Sequence, residues 1–205
     1  LKIAVLGDPV NSLQASRAAA GMLAPFCECD KADRFFKFCR ESLDKFPEFL
    51  RELVSVSEVP VHFSIEGSLM PSSSYREAWE ERKVFFAEED IPHEVWSSDK
   101  VRQKAPYLSD NCGEVMWVRE GQVNNRQMHD ALIQASRNLG NHVLEANVSG
   151  FIRKGSTLAS AVTDSGNING GQFVLASGSW SSQLARVLEV SIPMKPIKGQ
   201  MCRVQ

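Results

Sequence analysis

The sequence predicts a mixed α/β fold, and three stretches of its 205 residues support this prediction. Residues 2–6 are a short apolar run of the strand type, and the later segment 16–25 contains three alanines and a glycine in a row, which leave almost no side-chain bulk. Residues 30–56 repeat apolar side chains at helical spacing. Residues 157–163 and 172–177 are two strand-like segments, joined by a turn rich in Gly, Asn and Ser.

The beginning of the chain predicts a strand, a turn and a closely approachable backbone. Residues 2–6 are apolar after the first, which is typical of a buried parallel strand, and a Gly-Asp-Pro turn follows at 7–9. Residues 16–25 read Ser-Arg-Ala-Ala-Ala-Gly-Met-Leu-Ala-Pro. With so few bulky side chains, a cofactor or phosphate can approach the backbone N–H groups. On composition alone, a turn packed tightly against a helix is the more common explanation.

The longest helical pattern covers residues 30–56. Its apolar positions recur at steps of three and four, which predicts a core-facing stripe. The stripe consists of Phe35, Cys39, Leu43, Phe46, Leu50 and Leu53. Pro47 interrupts the pattern, so a kinked helix and two successive helices both remain open.

Five shorter elements are predicted in the middle of the chain. They are strands at 61–70, 93–96 and 113–118, a helix at 75–89, and a short helix that ends before Pro106. The helix at 75–89 has Tyr75, Trp79 and Phe86 on one side. The short helix begins at Ser97, Ser98 or Asp99.

The last third alternates helices and strands. Residues 121–123 open a helix that Asn124 or Asn125 caps and Gly140 ends. The elements predicted after it are strands at 142–147, 148–153, 157–163 and 172–177, a hairpin turn at 164–171, a helix at 180–189 and a strand at 201–205.

Composition excludes several classes of function. The net charge of −2 offers no attraction for nucleic acid or an anionic membrane, and no apolar run is long enough to span a bilayer. The first residues of the sequence do not have the basic-then-apolar pattern of a signal peptide, so we expect none. Five irregularly spaced cysteines argue against a disulfide framework and favour a reducing compartment, so we expect a cytoplasmic protein.

Metal and hydrolase chemistry receive no support from the sequence. The four histidines, His62, His93, His129 and His142, have no acidic or cysteine neighbours at ligand spacing. Cys27 and Cys29 lie too close together for a zinc knuckle and have no second pair. A nucleophile-elbow motif is absent, because residues 177–179 lack its flanking glycines. We therefore expect no metal site.

Four motifs agree in order and spacing with a known family. They are the alanine-rich string at 16–25, Gly-Gln-Val at 121–123, Leu-Ala-Ser-Gly-Ser-Trp-Ser at 175–181, and residues 193–200, which end in Lys-Gly-Gln. They resemble the FAD-dependent D-amino-acid oxidase superfamily, and most of all its glycine oxidase branch, which is associated with thiamine biosynthesis. The resemblance spans nearly the whole chain. It implies part of a Rossmann-like FAD-binding domain together with an antiparallel-sheet substrate domain that has helices on one face.

The resemblance also divides the chain. Residues 1–29 and 141–190 would belong to the FAD-binding domain, and residues 30–140 and 191–205 to the substrate domain. The chain begins and ends on predicted strands. The glycine-rich Gly-x-Gly-x-x-Gly turn of the family would precede Leu1, and its catalytic segment would follow Gln205. We therefore expect an internal segment of a longer protein, with no catalytic acid or base inside it.

Eight cofactor-binding residues are implied by position. Gly7 and Asp8 match the residues that contact the adenosine. The family usually has an acidic residue at the position of Gly7, and this residue binds the ribose. In this chain the ribose contact is therefore lost, or it is made by Asp8 or a backbone group. Ala15 and Ser16 match the pyrophosphate turn. Ala20, Gly21 and Met22 match the surroundings of the isoalloxazine ring, and Val148 matches the adenine contact. For Met22 a core position, and for Val148 an ordinary strand position, remain alternatives.

Arg17 departs from the family, whose glycine oxidase branch has a small residue there. Solvent exposure and contact with a cofactor phosphate are both open for this side chain, and solvent exposure is slightly favoured.

The activity implied is FAD-dependent oxidation of glycine or another small amine or D-amino acid, with oxygen as acceptor and hydrogen peroxide as product. An amine dehydrogenase or tRNA-modifying oxidoreductase of the same superfamily is an alternative, and so is a structural remnant without cofactor. The expected partner is a small amino-acid or amine substrate, with neither nucleic acid nor membrane. A homo-oligomer remains open.

Overall fold

The computed structural model describes residues 2–8 and 14–200. The helices are α1 (Ala15–Ala18), α2 (Arg34–Ser57), α3 (Ser72–Tyr75), α4 (Trp79–Glu88), α5 (Ser98–Lys104), α6 (Asn125–Asn138) and α7 (Ser181–Val187). The strands are β1 (Ala4–Gly7), β2 (Met22–Leu23), β3 (Phe63–Ser64), β4 (Ser68–Pro71), β5 (His93–Trp96), β6 (Val115–Val118), β7 (Gly121–Val123), β8 (His142–Glu145), β9 (Val148–Lys154), β10 (Thr157–Thr163) and β11 (Gly166–Asn169).

The chain divides into two compact units. The first takes Leu1–Ala19 and Leu132–Gln205, and the second takes Ala20–Ala131. The predicted mixed α/β fold is confirmed, because both units combine helices with sheets. Within residues 2–8 and 14–200, no helix combines the length and the apolar character that a membrane crossing requires.

The first unit contains one parallel and one antiparallel sheet. Strand β1 pairs with β8 in parallel, and β9, β10 and β11 form an antiparallel meander. Helix α7 packs on β9, where a Cβ on Gly150 would lie 3.7 Å from Val187 Cγ1. The predicted parallel strand is confirmed by the pairing of β1 with β8. The prediction that this strand is buried is wrong. Ile3 and Val5 are 42% and 40% exposed, since β8 is its one strand partner in the described chain.

The second unit contains two antiparallel sheets of three strands. Their orders are β2–β7–β3 and β4–β6–β5. The core between these sheets and the helices is rich in aromatic side chains. Its buried members include Phe26, Phe36, Met70, Trp79, Phe86, Met116 and Val118. A smaller cluster of Val101, Cys112 and Val115 lies under α5. The prediction that Tyr75, Trp79 and Phe86 lie on one side is confirmed, because Trp79 and Phe86 belong to this core and Tyr75 packs against it.

Helix α2 is one continuous helix with Pro47 inside it, which resolves the alternative left open by the sequence. Asp33 caps its beginning, since Oδ1 accepts hydrogen bonds from the backbone N–H groups of Phe35 and Phe36 at 2.9 and 3.0 Å. The predicted stripe is wrong at its first member. Phe35 is 66% exposed, whereas Phe36 is 1% exposed and occupies the core position of the first turn.

Three further predictions are wrong in the second unit. The strand at 61–70 is two strands, β3 and β4, because Gly67 between them has a φ of +95°. The helix at 75–89 is split into α3, a short 3₁₀ turn and α4, because Arg76 has a φ of +43°. Residues 121–123 do not open a helix but form β7, which lies between two partner strands.

The other elements follow their predictions with one exception. Strands β5 and β10 and helix α5 lie where the sequence places them, and Asn124 Oδ1 caps α6 by accepting the N–H of Gln127 at 3.1 Å. Gly140 ends α6 with a φ of +79°. Residues 172–177 are not a strand, because the hairpin partner of β10 is β11, inside the predicted turn. The predicted strand at 201–205 lies outside the described residues.

The pair Phe36 and Phe35 tests this register of α2. We expect Phe36→Ala to lower the free energy of unfolding by about 3–5 kcal/mol, because it empties a fully buried aromatic site. Phe35→Ala, one position away in the same turn, serves as the control and should change stability by less than about 1 kcal/mol. Urea unfolding followed by circular dichroism measures both, and equal losses would contradict the register.

Candidate functional site

Three of the predicted site residues lie at one end of the parallel pair in the first unit. Gly7 ends β1 opposite Glu145, the last residue of β8, and the N–H of Ala146 donates to the Gly7 carbonyl at 3.1 Å. Asp8 follows directly, and Val148 begins β9. Carboxyl ends of parallel strands share one edge of a sheet, which is where α/β folds bind their ligands. No atom of the described residues would lie within 4 Å of a Cβ on Gly7, so these residues leave space open there.

Helix α1 brings two more predicted residues to the same unit. The side-chain amide of Gln14 donates to the Asp8 carbonyl, which ties the start of α1 to the end of β1. Ala15 and Ser16 are exposed in the first turn of this helix, and Arg17 is half-buried rather than fully exposed.

The other three predicted residues form a bend at the edge of the second unit. Gly21 has a φ of +79°, and a Cβ there would lie 1.9 Å from the carbonyl oxygen of Val123. The N–H of Val123 donates to the Gly21 carbonyl at 2.9 Å, and Met22 pairs with Gln122. Ala20 precedes this pairing. The bend therefore packs against strand backbone, which only glycine permits, and not under a large side chain.

Met22 is not a core residue. Its side chain is 59% exposed, although the neighbouring Pro25 and Phe26 are buried. The alternative that Met22 is a core residue is therefore wrong, and its predicted position beside the flavin ring stays a prediction.

The predicted residues fit a flat, phosphate-bearing cofactor such as FAD. In each unit they offer backbone groups with small or flexible side chains at the surface, and no bulky side chain of residues 2–8 or 14–200 fills the space next to Gly7. Their assignment to particular parts of the cofactor stays a prediction.

The sequence analysis missed a buried acid that holds the turn after β2. Glu120 is 1% exposed, and its Oε1 accepts hydrogen bonds from the backbone N–H groups of Phe26 and Cys27 at 2.7 and 2.8 Å. A carboxylate that takes two buried N–H groups satisfies donors that would otherwise be costly to bury. In sequence, a Glu next to Arg119 is indistinguishable from a residue of a polar loop.

A buried base holds the same turn from the other side. Arg82 of α4 is 9% exposed and donates to the carbonyl oxygens of Cys27, at 3.1 Å, and Cys29. Its guanidinium also lies 5.2 Å from the centre of the Tyr75 ring and 3.6 Å from a carboxylate oxygen of Asp30. Because Glu120 binds N–H groups and Arg82 binds carbonyls, residues 26–29 are hereafter called the clamped turn.

The two cysteines of the clamped turn belong to its structure. Burial, reinforced by a hydrogen bond to Glu120 and its charge, raises the pKa of the Cys27 thiol far above its ordinary value. Burial likewise raises the pKa of Cys29. Thiols held protonated are poor metal ligands and poor nucleophiles. The described part of the chain contains no group of three or more His, Cys, Asp or Glu side chains that could hold a metal ion.

Gly21 and Gly155 form a matched pair for testing the bend. We expect Gly21→Ala to lower the free energy of unfolding by about 3 kcal/mol or more, since the new Cβ adds a backbone clash to the cost of a positive φ. Gly155 has a φ of +61° with no atom within 4 Å of a new Cβ, so Gly155→Ala should cost only about 1–2 kcal/mol. Thermal or urea unfolding compares them, and equal costs would contradict the close approach.

Glu120 is tested by two substitutions. Glu120→Ala leaves two buried N–H groups without a partner, and we expect a loss of about 3 kcal/mol or more in unfolding free energy. Glu120→Gln keeps an acceptor oxygen and should lose less. Glu52→Ala, on the exposed side of α2, is the control and should stay within about 0.5 kcal/mol.

Alkylation of Cys27 gives an independent readout for Glu120→Gln. Removing the carboxylate charge lowers the pKa of Cys27, so at a given alkaline pH more thiolate is present and iodoacetamide should react faster. Peptide mapping by mass spectrometry identifies the modified cysteine. An unchanged rate at Cys27 would contradict the contact between the two side chains.

Comparison with known proteins relates the chain to one family. The family described as FAD dependent oxidoreductase matches residues 2–205. The bifunctional protein ThiO/ThiG of Synechocystis sp. is 28% identical over 91% of this chain and 27% of its own length. Glycine oxidase of Bacillus subtilis is 25% identical over 91% of this chain and 50% of its own length.

A solved structure agrees with the fold. Glycine oxidase from Geobacillus kaustophilus superposes with a TM-score of 0.83 at 20% identity and covers 93% of this chain and 52% of that protein. The chain thus spans about half the length of the glycine oxidases it matches. The match over residues 2–205 confirms the resemblance read from the four motifs, and the chain belongs to the DAO family of FAD dependent oxidoreductases.

Proposed function

We propose that the whole protein is an FAD-dependent oxidase that deaminates glycine or another small amine or D-amino acid. The observation that carries this proposal is the family match over residues 2–205 together with similarity to glycine oxidase along 91% of the chain. Similarity to a ThiO/ThiG protein supports a role in thiamine biosynthesis. With an amino acid as substrate, the net reaction consumes the amino acid, oxygen and water, and yields an oxo acid, ammonia and hydrogen peroxide.

FAD, when bound, supplies the hydride-accepting chemistry, so the residues of this chain hold and orient the reactants. We propose that Gly7, Asp8 and Val148 contact the adenosine end and that Ala15 and Ser16 contact the pyrophosphate. Open space at Gly7 and the exposure of Ala15 and Ser16 support this assignment.

Ala20, Gly21 and Met22 are proposed to face the flavin ring. Support comes from the exposure of the Met22 side chain at 59% and from the pairing of β2 with β7, which gives the bend a rigid backing. A catalytic acid or base is not proposed among the described residues.

The division of labour between segments is also a proposal. Residues 1–29 and 141–190 would hold the cofactor, and residues 30–140 and 191–205 would cover the substrate. The cysteines of the described chain, Cys27, Cys29, Cys39 and Cys112, are free thiols, which supports a reducing compartment such as the cytoplasm.

The spectrum and peroxide yield of the full-length protein test the proposed function. We expect purified protein to show flavin absorbance, and glycine to drive oxygen consumption with an equal amount of peroxide formed. A protein reduced by amine substrate but not reoxidised by oxygen would instead be a dehydrogenase. A colourless protein that takes up no FAD would contradict the proposal and favour a structural remnant.

A charge placed at the proposed pyrophosphate contact tests the binding residues separately. Ala15→Glu sets a carboxylate against the cofactor phosphates, so we expect FAD affinity to fall about tenfold or more. Ala87→Glu makes the same change at an exposed position of α4 and should leave the affinity unchanged. Titration with FAD, followed by flavin fluorescence, measures both. Equal affinities would contradict the assignment of Ala15.

A further inference from the structure

The β2–β7–β3 sheet carries one row of side chains on its outer face. Met22 lies directly opposite Gln122, and Gln122 lies directly opposite Ser64. Residues that face each other across antiparallel strands point to the same side of the sheet. Met22, Gln122 and Ser64 therefore form a continuous row across three strands, and we call it the outer row.

The opposite face of this sheet is already filled by the core. A Cβ on Gly121 would lie 3.0 Å from the Phe63 ring, 3.4 Å from Leu43 Cδ1 and 3.5 Å from Leu23 Cβ. Phe63 in turn packs on Phe46 of α2, with ring centres 5.3 Å apart. Because α2 covers that face, the outer row points away from it.

The outer row is accessible in the described chain. Met22 and Gln122 are exposed, and Ser64 is half-buried. The Gln122 amide donates to the Ala20 carbonyl at 3.4 Å, a long hydrogen bond that ties the side chain to the Ala20–Met22 bend. An amide offers two N–H groups and one carbonyl oxygen, so Gln122 has capacity for a ligand as well.

We propose that Gln122 is a substrate-contacting residue that donates a hydrogen bond to the carboxylate of a small amino acid. The proposal rests on the proposed function, in which Met22 faces the reaction site. Opposite side chains across strands lie about 5 Å apart at Cβ, so a ligand the size of glycine that touches Met22 also reaches Gln122.

The carboxylate is the appropriate partner for chemical reasons. The outer row contains no acidic side chain that would pair with an ammonium group, and the amine must be uncharged when its carbon loses a hydride. The carboxylate keeps its charge throughout the reaction, and a hydrogen bond to a charged group is about twice as strong as one between neutral groups.

Binding of acetate to the FAD-loaded, full-length protein tests this role. Acetate carries the carboxylate but no amine, and its binding is followed by the change that it causes in flavin absorbance. We expect Gln122→Ala to weaken acetate binding about tenfold. Gln122→Glu, which is nearly the same size, should weaken it more, because it opposes one carboxylate with another.

Gln103→Glu provides the matched control. Gln103 is exposed on α5, so the same change of charge there should leave the acetate affinity at the value of the unmodified protein. If Gln122 had only a structural role, Gln122→Glu would weaken acetate binding less than Gln122→Ala, because glutamate is nearly the same size as glutamine. This order is the opposite of the one expected for a contact with the carboxylate.

The outcomes separate this inference from the function on which it rests. Loss of acetate affinity in the order Gln122→Glu, then Gln122→Ala, with Gln103→Glu unaffected, supports the contact. Normal FAD and acetate binding in both Gln122 variants overturns the contact and leaves the proposed function standing. An unmodified protein that takes up no FAD overturns both.

Discussion

The buried carboxylate of Glu120 is the constraint on which the second unit depends. It accepts the N–H groups of Phe26 and Cys27, while Arg82 takes carbonyls of the same turn. A buried charge is costly unless hydrogen bonds compensate for the water that it loses. Here the backbone of the clamped turn supplies partners for Arg82 and for Glu120 Oε1, while Glu120 Oε2 is buried with no hydrogen-bond partner among the described residues. Moving either side chain would leave these backbone groups without their partners, so both side chains stabilise the turn.

Glu120 and the clamped turn are both adjacent in sequence to strands of the β2–β7–β3 sheet. Glu120 is followed at once by Gly121, which begins β7, and the clamped turn lies just after β2, the partner of β7. Gly21 then brings the bend so close to Val123 that no side chain fits between them. A short two-residue strand would be marginal by itself. Backed by β7 and the clamped turn, it becomes a rigid support for the surface that carries Met22.

The predicted cofactor residues lie on different kinds of surface in the two units. The first offers the carboxyl edge of a parallel strand pair, with open space at Gly7, and the second offers a rigid bend with a flexible thioether side chain. In flavin-dependent enzymes the cofactor carries the redox chemistry, and the protein supplies binding and orientation. This agrees with a described chain in which the buried ionisable side chains serve the backbone.

Local sequence patterns determined much of this protein: the family motifs, the strand His93–Trp96, the strand Thr157–Thr163, and the cap and end of α6, because period, caps and glycine turns act over a few residues. Tertiary structure alone decided which phenylalanine of α2 is buried, and that β11 rather than residues 172–177 pairs with β10. It alone also revealed Glu120, whose partner Phe26 is 94 positions away in sequence. A charged residue in a polar stretch stabilises the fold only when folding brings unpaired backbone groups to it. Because those groups are distant in sequence, a local pattern cannot predict the contact.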